Sequence, residues 1–169
     1  MWCCVVVYCQ HKSCGRDFCK FVSAVPENAS GGYMPGETNL SVLLKSMEPE
    51  PDAGEYIFCS TAESGQGVDA RDAWAVISED EGKTLILKRE SADRCGVRYE
   101  SVFRKITLKI HSSLDAVGLT AAVSAALARQ GISANVVAGY YHDHIFVQSA
   151  NAAEAVDALK KLAAENNNK

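Results

Sequence analysis

Residues 111–119, His-Ser-Ser-Leu-Asp-Ala-Val-Gly-Leu, stand between an alternating apolar stretch and an alanine-rich one, and their types suit the capture of a carboxylate. Ser112 and Ser113 offer hydroxyl donors, Leu114 an apolar contact, and the main-chain N–H groups of Val117, Gly118 and Leu119 fall where a helix opens. The first amides of a helix have no partner within it, and the positive end of its dipole lies behind them. A second set comes after the helix. Asn135, Val136 and Val137 can add main-chain groups and one side-chain amide. Tyr140, Tyr141, His142 and Asp143 can set rings and a carboxylate against a cationic or polar group. An amino acid presents a carboxylate, an ammonium and a side chain, and these residues answer all three. The residues expected to bind a ligand are Ser112, Ser113, Leu114, Val117, Gly118, Leu119, Asn135, Val136, Val137, Tyr140 and Asp143, and no catalytic residue or metal ligand is expected. Each has a plainer role beside this one: Ser112, Ser113 and Asp115 as helix caps, Gly118 as a close-packing residue, the tyrosines as edge aromatics. His142 and His144 could chelate a metal with His111, but a hydrogen-bonded structural pair is the simpler reading.

The elements that must hold these residues are legible around them. Ile106, Leu108 and Ile110 alternate with Thr107 and Lys109, the pattern of a strand over 103–110 with one face buried. Asp115 or Ser113 is expected to cap a helix from about Ala116, with Val117, Ala121, Ser124, Leu127 and Ala128 inward and Gly131 as its stop. Next comes a strand run broken in its middle. Asn151 and Glu154 then have capping-box spacing before a stripe of Ala152, Ala155, Val156, Leu159 and Leu162, and the tail ENNNK is expected to fray. The order is β-α-β-β-α.

Upstream, Leu40, Leu43, Leu44 and Met47 share a helical face with Thr38 or Asn39 as cap. Two prolines in 48–54 predict a turn, 55–60 a buried strand, and 61–69 a polar loop. Residues 73–78 and 84–88 predict a hairpin with Gly82 at a positive φ, and 89–95 a short helix ending at Gly96. The fold class is α+β: two ferredoxin-like modules over 37–98 and 99–165 packed together, helices to one side, with the strand from Phe103 able to serve both.

Composition narrows the function. The chain has 169 residues, 47% of them hydrophobic, enough for one substantial core or two small ones. Net charge is −4 with no basic stripe, which argues against nucleic acid, and no apolar run is long enough for a membrane helix. A cytoplasmic protein without cofactors is expected. Five of the seven cysteines precede residue 20, but their spacing is not that of a zinc knuckle. Residues 1–36 are expected to be a disordered leader and linker, and Cys59 and Cys95 plain small hydrophobes in apolar surroundings. Neither G-x-S-x-G nor a phosphate loop occurs, so a hydrolase drawn from His111, Ser112, Ser113 and Asp143 ranks below a binding module, and a pure protein-interaction module is the other alternative. A homodimer or a regulated protein partner is left open.

The run HSSLDAVGLTAAVSAALARQGISANVVAGYYHDHIFV resembles the ACT-type amino-acid-sensing domains, in the subgroup where two such modules are fused, related to the cytosolic arginine sensors and the regulatory part of aspartate kinases. GEYIFCS and LSVLLKSMEPEPDAGEY resemble the first module of that subgroup, and the likeness covers about residues 37–165. It implies duplicated βαββαβ modules, small ligands held between them, and a sensor without its enzyme. Asp143 and Tyr140 fall where the arginine sensors set an aspartate and an aromatic against their ligand, while Ala116 replaces an acidic residue there. Gly118→Asp is expected to abolish binding by bulk and like charge while leaving the fold largely intact.

Overall fold

The structure, a computed structural model, describes residues 35–62 and 68–167 together with the main chain of Cys4–Val5. Its elements are β1 (Cys4–Val5), α1 (Leu40–Ser46), β2 (Pro49–Ser60), a 3-10 turn (Ala70–Asp72), β3 (Ala73–Glu79), β4 (Gly82–Lys88), α2 (Arg89–Arg94), β5 (Phe103–Leu108), α3 (Leu119–Arg129), β6 (Ala134–Ala138), β7 (Asp143–Gln148), a second 3-10 turn (Ser149–Asn151) and α4 (Ala152–Asn167). The strands form one sheet in the order β1-β6-β7-β5-β2-β4-β3. Every pairing is antiparallel except that of β1 with β6.

Two ferredoxin-like modules share the middle of this sheet. The first runs β2-β3-β4-α2-β5 and places its strands β5-β2-β4-β3; the second runs β5-α3-β6-β7-α4 and borrows β2 as its fourth strand. The expected double duty of the strand from Phe103 is thus observed, and β2 has it too. β2 manages this by bending. Its first half pairs with β5 (Pro49↔Leu108, Pro51↔Ile106), its second with β4 (Tyr56↔Lys88 to Ser60↔Thr84), and a register shift separates Pro51 from Glu55. Asp52 organises the bend by accepting the Gly54 amide at 2.7 Å and Lys105 Nζ at 3.2 Å. The prolines are therefore in a strand, correcting the turn expected over 48–54. They are tolerated because that half of β2 has a neighbour on one side only, so a missing N–H leaves no ladder bond unmade.

Strand alternation divides the side chains. One face carries Ile106, Leu108, Val136, Ile145 and Val147 under α1, α3 and α4, and continues into Ile57, Leu85 and Leu87 under α2. The opposite face carries Tyr56, Ile86, Val137 and Phe146, with Phe58, Trp74 and Phe103 against them. Trp74, on the outermost strand, meets His144 at 4.9 Å and Phe146 at 5.1 Å on β7, across β4, β2 and β5. A flat sheet would hold those strands about 19 Å apart at ~4.8 Å per step. The sheet therefore curls, and the aromatic faces of the two modules close on each other.

Most expected elements are present: Asn39 caps α1 through Ser41 and Val42, Gly82 and Gly96 take positive φ, and the α4 stripe buries Ala155, Val156, Leu159 and Leu162. Three further expectations need correction. α3 begins at Leu119 with Gly118 as cap, not near Ala116, so its buried face is Leu119, Val123, Ala126 and Leu127 and Val117 lies outside it. α4 persists to Asn167 where fraying was expected. Cys95 is exposed, although Cys59 packs against the α2 core as expected. The expectation of a disordered leader falls outside the described residues, apart from Cys4–Val5 and residues 35–36.

Candidate functional site

The β5–α3 turn is built by a segment from outside the module. Residues 35–37 lie along it: the Glu37 amide donates to His111 O and the Ser113 amide to Glu37 O, both at 2.9 Å. Gly36 makes the approach possible, since a Cβ there would stand 2.5 Å from the Ser113 nitrogen. Within the turn, Ala116 donates to Ser113 O at 2.9 Å and Asp115 to Ser113 Oγ at 3.2 Å. Ser113 thus shapes the turn and does not cap the helix. Gly118 does, with φ 102°. Among the described residues the amides of Val117, Gly118 and Leu119 have no hydrogen-bond acceptor, so the α3 N-terminus is open, its dipole unanswered. A Cβ on Gly118 would come 2.9 Å from Leu40 Cδ2 of α1. Substitution there strains the fold as well as the site, which corrects the expectation of an unaffected fold.

Opposite this turn stands Asp143, the first residue of β7 and only 8% exposed. Ser112 Oγ donates to its Oδ2 at 3.2 Å. Burial pushes the Asp143 carboxyl above the usual range, and the Ser112 bond and the His142 charge offset that only in part. A carboxylate so placed gains from any cation brought to it. The β6–β7 turn closes through Gly139 N donating to His142 O at 3.0 Å. Tyr140 and Tyr141 project from it, exposed, with ring centroids 4.9 Å apart, and Tyr141 lies 5.2 Å from the His111 ring. Leu114 and Val117 are also exposed, Val117 at 82%. Open amides, a buried carboxylate and exposed rings thus meet at one end of the sheet.

The β6 residues are placed otherwise. Val136 is in the helix-side core and Val137 in the aromatic layer, and both pair with Cys4–Val5 along the outer edge. The Asn135 amide lies 3.5 Å from Phe146 O. His142 and His144 make structural contacts: His142 Nδ1 lies 3.1 Å from Ile110 O and His144 Nδ1 3.0 Å from Thr107 Oγ1. No group of three metal-ligating side chains occurs among the described residues. Glu37 and Leu40 escape sequence reasoning because a dipeptide such as Pro35-Gly36 signals a linker and not a contact with a turn far downstream.

Residues 35–104 match the ACT domain, and residues 100–161 match it again. The chain is a tandem ACT-domain protein. Its two matches overlap at the opening of β5, the strand both modules use. A crystal structure of a Vibrio cholerae protein of unknown function, described as a possible transport protein, superimposes with a TM-score of 0.64 at 47% identity, over 73% of this chain and 95% of that one. An Agobacterium tumefaciens protein shares the fold at TM-score 0.55 and 15% identity, over 69% of this chain and 89% of its own. The aspartate kinase of Clostridium acetobutylicum aligns more remotely, at TM-score 0.48 and 10% identity, over 70% of this chain and 34% of the kinase. No curated protein matches the sequence. Tandem ACT domains are small-molecule-binding regulatory units, and this chain has that character. Among its described residues no helix is long and apolar enough to cross a membrane.

Proposed function

We propose that this tandem ACT protein is a non-catalytic sensor of a free amino acid in the cytoplasm, passing the bound state to a partner or to a second copy of itself. The ligand carboxylate sits on the amides of Val117, Gly118 and Leu119, its cationic group faces Asp143, and Tyr140 borders its side chain. The observation that carries the reading is the open α3 N-terminus beside a buried carboxylate held by Ser112. These are opposite electrostatic demands at one end of the sheet, joined through Ser112, as a zwitterion requires. Leu114, Val117 and Tyr141 lie exposed around them and withdraw apolar surface from water when a ligand or a partner covers this end.

Calorimetric titration with the twenty amino acids tests this. One of them is expected to give saturable heat at or below millimolar concentration, and Asp143→Ala to weaken a basic ligand by about tenfold or more, the weight of one charge-assisted hydrogen bond. The pH dependence has a definite sign. Asp143 pairs with a cation only when ionised, so affinity falls as pH drops through its raised pKa. If no amino acid produces heat or shifts the melting temperature, the protein-interaction reading replaces this one.

A further inference from the structure

The first module contains a second opening, remote from the β5–α3 turn. A cavity of about 650 Å³ is bounded by Phe58 and Ser60 of β2, Phe103 of β5, and Arg98, Glu100 and Ser101 of the connection between α2 and β5. That volume falls within the range of about 300–1,000 Å³ found for small-ligand sites. One wall is a strand edge with no partner among the described residues. β2 runs to Ser60, but its pairing with β5 ends at Tyr56↔Phe103, where the chain turns aside and Val102 O accepts the Ser149 amide at 3.0 Å.

The direction of the free groups is set by the ladder. In an antiparallel strand the N–H and C=O of one residue point to the same side, and successive residues alternate. Thr61 N donates to Lys83 O at 2.8 Å, on the β4 side, and the register from Tyr56 to Ser60 has no break. The main-chain groups of Phe58 and Ser60 therefore face away from β4, into the cavity. Among the described residues they have no main-chain partner there. Three residues of strand span about 7–10 Å, the reach of a tripeptide. Phe58 and Phe103 stack edge-on at 5.1 Å beside this edge, and the exposed Arg98 and Glu100 place one charge of each sign at its rim.

We propose that this cleft binds a short peptide in extended conformation, which adds itself to β2 along Phe58–Ser60 by main-chain hydrogen bonds. Alternating donors and acceptors at strand spacing select a peptide backbone, the two phenylalanines receive one apolar side chain, and Arg98 and Glu100 answer the carboxylate and ammonium of free peptide ends. The site is separate from that for the free amino acid, and one can fail without the other.

The test is titration of the full chain with the free tripeptide Val-Thr-Val and with its analogue N-methylated at both peptide bonds, which keeps the side chains and charges but has no amide N–H to donate. Saturable heat at or below millimolar tripeptide is expected, and affinity for the analogue lower by at least about tenfold. Ser60→Pro removes one donor on the unpaired side, and Ser101→Trp fills the cleft. Each is expected to reduce tripeptide affinity by about tenfold while the heat from the free amino acid is unchanged. Absence of binding, equal binding of the N-methylated peptide, or full affinity in a folded Ser101→Trp protein overturns the proposal. The analogue experiment uses the unaltered chain and decides the matter even if a variant fails to fold.

Discussion

The two modules differ in how each leaves its first strand. In the second, β5 leads through the Ser112–Gly118 turn into an eleven-residue helix with an open N-terminus. In the first, β2 leads through a loop whose described part holds only the 3-10 turn Ala70–Asp72, capped by Asp69 onto the Arg71 amide. The cores differ accordingly. Three helices, α1, α3 and α4, cover the second module's strands and bury Leu43, Leu127 and Leu159 completely, whereas among the described residues the first module's smaller core has α2 as its one helix. One module thus has a broad helix-covered base and a candidate site at a helix end, and the other a smaller core and a strand edge without a partner among the described residues. The shared β2 and β5 tie their stabilities together.

The largest expected effects come from that base. Leu127→Ala or Leu159→Ala leaves a cavity in the three-helix core and should cost about 3–4 kcal/mol. Because β2 and β5 belong to both modules, urea unfolding should remain a single transition, with main-chain circular dichroism and tryptophan fluorescence coincident. Two separated transitions would break the comparison by showing that the first module melts alone. Next is Trp74, which closes the curled sheet against His144 and Phe146 and lies 5.2 Å from Lys105 Nζ. Trp74→Ala should cost about 3 kcal/mol, measured by denaturant midpoint, although Trp74 sits on the outermost strand.

A smaller effect sharpens the view of that junction. Burial, with Lys105, His142 and Lys109 nearby, pushes the His144 pKa down from 6.5 to about 4. The unfolded chain therefore binds a proton between those values that the folded chain does not, so stability falls as pH drops from about 6.5 towards 4. After solvent screening the loss is on the order of 2 kcal/mol. In a His144→Gln protein the slope of stability across this window should be shallower. The smallest effect is expected at the rim: Lys109→Ala removes the 2.9 Å contact with Glu50, both side chains about half exposed, and should change stability by less than about 0.5 kcal/mol.

The elements of both modules are legible in the sequence because their periodicities are local. Alternation of Ile106 and Leu108 and the α4 stripe each need only neighbours in sequence. The features that escape depend on distant partners. The prolines of β2 look like turn residues because nothing local says that this half-strand has a single neighbour. The residue types set the α3 start too early because Ser113 and Asp115 are good caps, while the decision rests on Gly118 facing Leu40 across the chain. Of the site, Ser112, Asp143 and the helix amides are legible from turn chemistry. The contacts by which Glu37 and Leu40 complete the turn from another segment, and by which Trp74 reaches β7 because the sheet curls, carry no local signal.

That the open end of α3 receives a carboxylate is tested most directly by an amide NMR titration of the full chain with the amino acid that gives heat, since an accepted hydrogen bond moves the amide proton of its donor. Val117, Gly118 and Leu119 are expected to show the largest shifts, these shifts to saturate together with the calorimetric heat, and the amides of Phe58 and Ser60 to stay in place. Saturating heat with the α3 amides unmoved would contradict a carboxylate at this helix end.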